Sequence, residues 1–462
     1  MRYSLIFTLL LLCIIGFGSV PLNTIDSLKN ELTITEGEAK VELLIQISEA
    51  YRNLHSSYCI DYGISAIDES KLLQNKELEA KALKSLGIST YYSGKFDDAL
   101  LYYQNSLELY SKLDDKKQMA ACYNNIGIVY EELAEFDMAL EFYKKSFEYE
   151  KQLDNKKGIG ISLISLGNIF YYQNTYHLAI DNYFQALLIF QKINNKWGIA
   201  YVYNSIGIIY RLWNDLDNSV MYFEKSKLIY EEIEDEVGLS KVLCNLGELY
   251  SDEPKDYKNA LKYFNQSISI KKKLEDKIGI ALLYNNFGTL YAKMENYEKA
   301  LSYFNDSYLL YSEMKSITGL VMVEQNIGKL YFQFEDYNTA AEKFTNSLKM
   351  ATKAKMDNYI SSNYKELMSC YALTLDTESF KKYYNLYNSK NDSIINHLRL
   401  SRLYDIESKY DIEQLLITSN KLSEENQLKE QEIRQLRLIM AGLGGLIILI
   451  IFSYVLFLKI RK

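Results

Sequence analysis

Residues 120–158 read AACYNNIGIVYEELAEFDMALEFYKKSFEYEKQLDNKKG. The first half places Tyr123, Ile126, Gly127 and Tyr130 on one helical face, at steps of three, one and three. The second half does the same with Ala139, Tyr143 and Ser146. LAEFD, between them, carries no helical period and reads as a short turn. The stretch therefore predicts two amphipathic helices packed against each other. Small residues at Gly127 and Ala139 allow close approach, and aromatic side chains fill the space beside them.

The pattern recurs along most of the chain. The glycine returns as Gly87, Gly127, Gly167, Gly207, Gly247, Gly288 and Gly328. The alanine returns as Ala99, Ala139, Ala179, Ala260, Ala300 and Ala340, with Ser219 in the remaining slot. Four residues on stand Tyr103, Tyr143, Tyr183, Phe223, Phe264, Phe304 and Phe344, and three further on a serine or, once, Ala186. The period is 40 residues, with one step of 41 between Gly247 and Gly288. The extra residue falls in SDEPKDY, residues 251–257, between the two helices of its unit, where Pro254 disturbs no helical hydrogen bond. Fixed spacing of this kind marks stacked units that share a continuous core.

These residues resemble the tetratricopeptide repeat, in a long-period form, over roughly residues 40–390. Ser111, Lys151 and Gln191 stand where the family usually closes the second helix with proline. The resemblance implies an all-α, right-handed superhelical solenoid of about nine helix pairs over residues 21–395. Its terminal units, about 25–78 and 359–395, are degenerate: Ile47 and Met368 replace the glycine. Such caps are expected where one face has no neighbour. Asp215, Asp256, Asn296 and Asp336 each precede a second helix and are predicted N-caps.

Composition agrees with an extended helical protein. Of 462 residues 48% are hydrophobic, and there are two prolines. Net charge is −8 with both signs interspersed, and no basic stripe marks a nucleic-acid partner. Five cysteines and three histidines fall at no metal-ligand spacing. No nucleophile–base pair, acidic dyad or phosphate loop is present: each repeat glycine lies inside a helix and none belongs to a GxGxxG run. The expectation is a binding protein without catalytic residues, metal or cofactor.

Both ends of the chain read differently from the repeats. Residues 1–20, with Arg2, an apolar run and then Gly16, Gly18 and Ser19, predict a secretory signal peptide. An uncleaved anchor helix is the alternative. Residues 396–436 predict a charged juxtamembrane helix without glycine or proline after Leu403. A heptad reading sets Ile412, Asn426 and Ile433 with Leu415, Leu422 and Leu436 on a seam that Ser419 and Lys429 interrupt. Either a coiled coil or a single solvated helix fits. The uncharged run Leu438–Leu458 lies in a predicted transmembrane helix at residues 437–458, and 459–462, KIRK, form a basic cytoplasmic tail. Together with the leader, this places the repeats outside the cytoplasm, as in a single-pass inner-membrane protein with a periplasmic domain. Ala441 and Gly445 form a small-xxx-small pair, so residues 403–445 are a candidate homodimer surface.

The order of leader, repeats, charged helix and span resembles the extracytoplasmic sensor half of bacterial tetratricopeptide-containing membrane histidine kinases and helix-turn-helix regulators. The passage NSKNDSIINHLRLSRLYDIESKYDIE, residues 388–413, carries that resemblance at the repeat–helix junction. No output domain follows the span here, so output is expected on another polypeptide or lost by truncation; a passive tethered scaffold is the alternative reading. The resemblance further implies that the first helices line a concave groove for a protein or peptide partner. Asn124, Asn125, Asn204, Asn245, Asn285, Asn286 and Asn326 lie just before the repeat glycines, and Arg211 one turn after. Their amides either meet an extended ligand backbone or join neighbouring repeats. Of the family's carboxylate clamp only Lys84 and Asn125 are matched; Ile88, Ile161 and Ser165 fill other required places, so that ligand class is not expected.

Overall fold

The structure, a computed structural model, describes residues 22–51, 56–253, 255–354, 356–389, 417–429 and 431–435. The leader, Pro254, most of the repeat–helix junction and the apolar run 437–458 lie outside the described residues. Among the described residues no helix is long and apolar enough to cross a membrane.

The repeats form nine antiparallel helix pairs among the described residues, preceded by helix Leu22–Leu32. The pairs begin with Glu38–Tyr51 and Ser56–Leu72, and end with Asp357–Leu373 and a helix over 377–389. In the seven central pairs both helices have 17 residues, from Lys76–Tyr92 with Phe96–Lys112 to Ile317–Gln333 with Tyr337–Lys353. We number the pairs as units one to nine and call their helices inner and outer. The inner helices of units one to eight pack along their own outer helices, and most also approach the inner helix of the next unit, so inner helices line the shorter, concave radius.

Local chemistry sets the boundaries. The side chains of Asp215, Asp256, Asn296 and Asp336 accept hydrogen bonds from the backbone N–H three residues on, as N-caps should. Asn75, Asp115, Asn195, Asp235, Asp276 and Ser316 do the same for inner helices. Between helices one residue per turn takes the left-handed conformation, and only Gly94 of them is a glycine in the central units. Ala134 (φ 57°) and Glu234 (φ 56°) hold it too. The regular stacking of units imposes this turn on residues that do not favour it.

The core repeats with the period. A Cβ on Gly87, Gly127, Gly167, Gly207, Gly288 or Gly328 would stand 2.5–2.7 Å from the ring of Tyr103, Tyr143, Tyr183, Phe223, Phe304 or Phe344, and Gly247 meets Phe264 in the same way. The close approach is thus ring to backbone, with one edge of the outer-helix aromatic, its Cδ1 and Cε1, set against the glycine. Ala99, Ala139, Ala179, Ala260, Ala300 and Ala340 are all fully buried. Ser219, in the alanine slot, satisfies its hydroxyl by donating to the Gly207 carbonyl at 2.9 Å. Ser106, Ser226, Ser267, Ser307 and Ser347 donate to carbonyls at the start of their own inner helices at 2.7–3.0 Å. In unit one the two sizes are exchanged: Ile47 holds the glycine slot and Gly63 the aromatic slot.

Two residues at seam positions, Ser419 and Asn426, meet the repeats. Asn426 donates to the Gln191 carbonyl at 2.7 Å, so the helix over 417–429 lies against the repeats and does not stand away from them as a free rod. Ile412, Leu415 and Leu436 lie outside the described residues.

Candidate functional site

The concave face is built from inner-helix positions flanking each glycine. In units two to five it is rich in tyrosine. Tyr91 donates to Glu132 at 3.1 Å across neighbouring units, and Tyr143 donates to Glu131 at 2.6 Å. Asn168 bridges Tyr183, whose hydroxyl donates to it at 2.8 Å, and Tyr201, to which its amide donates at 3.3 Å. The Trp197 and Tyr201 rings lie 5.6 Å apart, and Tyr172 stacks on Phe136 at 5.5 Å.

Towards the C-terminus the lining becomes charged. Arg211 pairs with Glu248 at 2.8 Å and with Asp252 at 3.5 Å. Asn286 donates to Glu248 at 2.8 Å, and Lys293 pairs with Asp252, so one chain of charges ties units five, six and seven. Half-exposed ion pairs add little stability singly, but a network fixes the position of its members. The Nε of Arg211 is buried and has no acceptor among the described residues.

The seven asparagines divide by environment. Asn245 donates to Asn204 at 2.8 Å, and Asn326 donates to Asn285 at 2.9 Å. Asn285 is 3% exposed, and Asn286 is held by Glu248. These five amides therefore join neighbouring inner helices, the second of the two roles open to them on sequence. Asn124 has a buried Oδ1 without a partner among the described residues, and Asn125 beside it is half-buried. Lys84 donates to Gln118 at 2.5 Å, and burial lowers its pKa. The four described cysteines, Cys59, Cys122, Cys244 and Cys370, are buried and form no disulfide among the described residues. Sequence reasoning missed Tyr201, Asn168, Glu132, Asp252 and Lys293. The signal available was their fixed offset from the repeat glycine, which sets one helix face.

Glu131 carries the clearest electrostatic consequence. Burial pushes its pKa above the usual carboxylate value, against the opposing hydrogen bond from Tyr143. The native state therefore holds the Glu131 proton more tightly than the unfolded chain. Its contribution is present below the ordinary carboxylate pKa and is lost as pH rises through the native value. Glu131→Gln keeps an acceptor for Tyr143 and removes the charge. It should raise the melting temperature at about pH 7 and leave it unchanged at about pH 4. An equal rise at both values would show that the buried charge is not the cause.

A family model described as tetratricopeptide repeat matches residues 78–152, 198–273 and 276–353. A comparison with curated proteins gave no match. Among solved structures, a Rap protein complexed with Competence and Sporulation Factor superposes with TM-score 0.55 at 13% identity, covering 78% of this chain and 100% of that one. The Rap conjugation gene regulator of plasmid pLS20, in complex with the Phr* peptide, gives 0.54 at 14% identity, covering 72% and 95%. The apo form of RapI gives 0.50 at 15%, covering 60% and 99%. At these identities the likeness is one of fold. The three matched stretches are tetratricopeptide repeats, and the helix pairs before, between and after them continue the same all-helical solenoid.

Proposed function

We propose that this chain binds an extended peptide or protein segment in the concave groove of units three to six. The observation that carries the reading is Arg211. Its Nε is a buried donor without an acceptor among the described residues, midway between a tyrosine-lined stretch and a charged one. Leaving such a donor unsatisfied costs about 1–3 kcal/mol, which a carbonyl or carboxylate from a ligand recovers. The aromatic stretch around Tyr201 offers flat apolar area with polar edges, suited to side chains of an extended segment. Two structures that share the fold, the Rap protein complexed with Competence and Sporulation Factor and the pLS20 regulator in complex with the Phr* peptide, each hold a bound partner.

We further propose that the repeats sit outside the cytoplasm, anchored by the apolar run at 437–458, and serve as the input of a signalling system. The leader and the charge-free run support the placement. The helix over 417–429 favours input over passive scaffold. It contacts unit four beside helix Lys196–Leu212 of unit five, whose Tyr201, Asn204 and Arg211 belong to the groove.

A displayed peptide library screened against the full-length chain in detergent tests the groove. Selected peptides should lose affinity about tenfold or more on Arg211→Ala or Tyr201→Ala, with the variants still folded. Binders indifferent to both substitutions would place recognition elsewhere and remove the groove reading.

A further inference from the structure

At the end of each outer helix one position stands where the repeat family commonly has proline. In six central units it holds Ser111, Lys151, Glu231, Lys272, Ser312 or Thr352, and all six are exposed. In unit four it holds Gln191, which is 2% exposed. The cover is the chain's own helix over 417–429. The Gln191 amide donates to the Ser419 carbonyl at 3.2 Å and to its hydroxyl at 3.1 Å. The Gln191 carbonyl, among the last of its helix, lacks an intrahelical partner. It accepts from the Asn194 N–H in the following turn at 3.2 Å and from the Asn426 amide at 2.7 Å. Ser419 is itself 3% exposed. Ser419 and Asn426 are seven residues apart, two turns along one face.

That face is also the heptad seam. Ile412, Ser419, Asn426 and Ile433 share one seam column, and its polar members meet the repeat. A lone serine and asparagine weaken a pair of helices that must bury them. Docked on Gln191, both are satisfied. The contact is small and mostly polar: Leu422 is half-buried, while Leu428 and Ile433 remain exposed. A cleft of about 310 Å³ separates the segment from Ile199, Tyr203 and Lys225. Such a contact holds a helix without locking it.

We propose that docking of residues 417–429 on Gln191 is a latch that keeps the membrane-proximal helix from pairing with a second copy of this chain. Latched and paired states are alternatives because both use the Ser419–Asn426 face. The latch rests on the membrane placement proposed above and does not require the groove to be a peptide site.

The test uses the full-length chain in membrane vesicles, with Ile433→Cys as reporter. Ile433 is exposed in the latched state, and the four described native cysteines are buried. Gln191→Glu removes the amide donor and sets an anion against the Ser419 carbonyl, leaving the seam sequence intact. Hydrogen exchange over 417–429 should accelerate about tenfold or more, and oxidative cross-linking through the introduced thiol should rise with it. Ser111→Glu, at the equivalent exposed position, should change neither. Unchanged exchange in Gln191→Glu would remove the latch, and faster exchange without more cross-linking would remove the exclusion of pairing. Should Gln191→Glu fail to melt cooperatively, Gln191→Ala, which only deletes the donor, is judged by the same two readouts.

Discussion

Gly207→Leu should destabilise the repeats by about 3 kcal/mol or more, the upper range for forcing volume into a packed core. Even one added carbon at Gly207 would lie 2.7 Å from the Phe223 ring, and the ring is fully buried with no room to withdraw. The substitution acts inside one unit, yet neighbouring units share its interface, so the loss should spread along the solenoid. Unit one indicates the compensation, because Ile47 and Gly63 exchange the large and small slots there. Gly207→Leu combined with Phe223→Ala should therefore be more stable than the sum of the single changes by at least about 1 kcal/mol. Thermal melting of the four variants decides the matter. An unchanged melting temperature for Gly207→Leu, or strict additivity, would mean that the ring is not set against the glycine.

Phe184→Lys should cost about 3–5 kcal/mol, the range for emptying a fully buried aromatic site, with the buried charge added. The expectation runs against the pattern of the repeats. The same slot holds Gln104, Lys144, Glu224, Asn265, Asn305 and Thr345 in the other central units, exposed or half-exposed. In outer helix Tyr176–Lys192 Phe184 is 0% exposed, and Gln191, seven residues on, is closed by residues 417–429. Asn265→Lys and Thr345→Lys, at the equivalent positions, should stay within about 0.5 kcal/mol of the parent. Equal, small effects at all three would mean that the outer face of unit four resembles the others and carries no special contact.

The contrast between these two substitutions separates what each level of description decides. The repeat was legible because stacking imposes one interface many times. Gly207 and Phe223 recur as a pair at an offset of sixteen residues, seventeen only where the inserted residue falls, so neither needs a structure to be found. The caps at Asp215, Asp256, Asn296 and Asp336 were legible for a similar reason, since an N-cap acts on backbone three residues away. The left-handed turn at Ala134 was not, because no property of alanine asks for it; the geometry of the stack does.

The groove asparagines mark the boundary. Their position on the inner helices follows from helical period, but whether an amide meets a ligand or the next repeat depends on the distance between adjacent inner helices. The structure sets Asn204 against Asn245 and Asn285 against Asn326 at hydrogen-bonding distance. Arg211 likewise becomes a candidate ligand donor only once Glu248 and Asp252 are seen to hold it while its Nε stays unpaired among the described residues.

The sequence by itself determined the helices, their pairing and the period, because these rest on local periodicity and on contacts that repeat every 40 residues. Only the tertiary structure decided that Asn426 meets Gln191, more than two hundred residues away, and that Ser419 is buried beside it. That contact occurs once, has no period, and is made by polar side chains whose partner no local preference specifies.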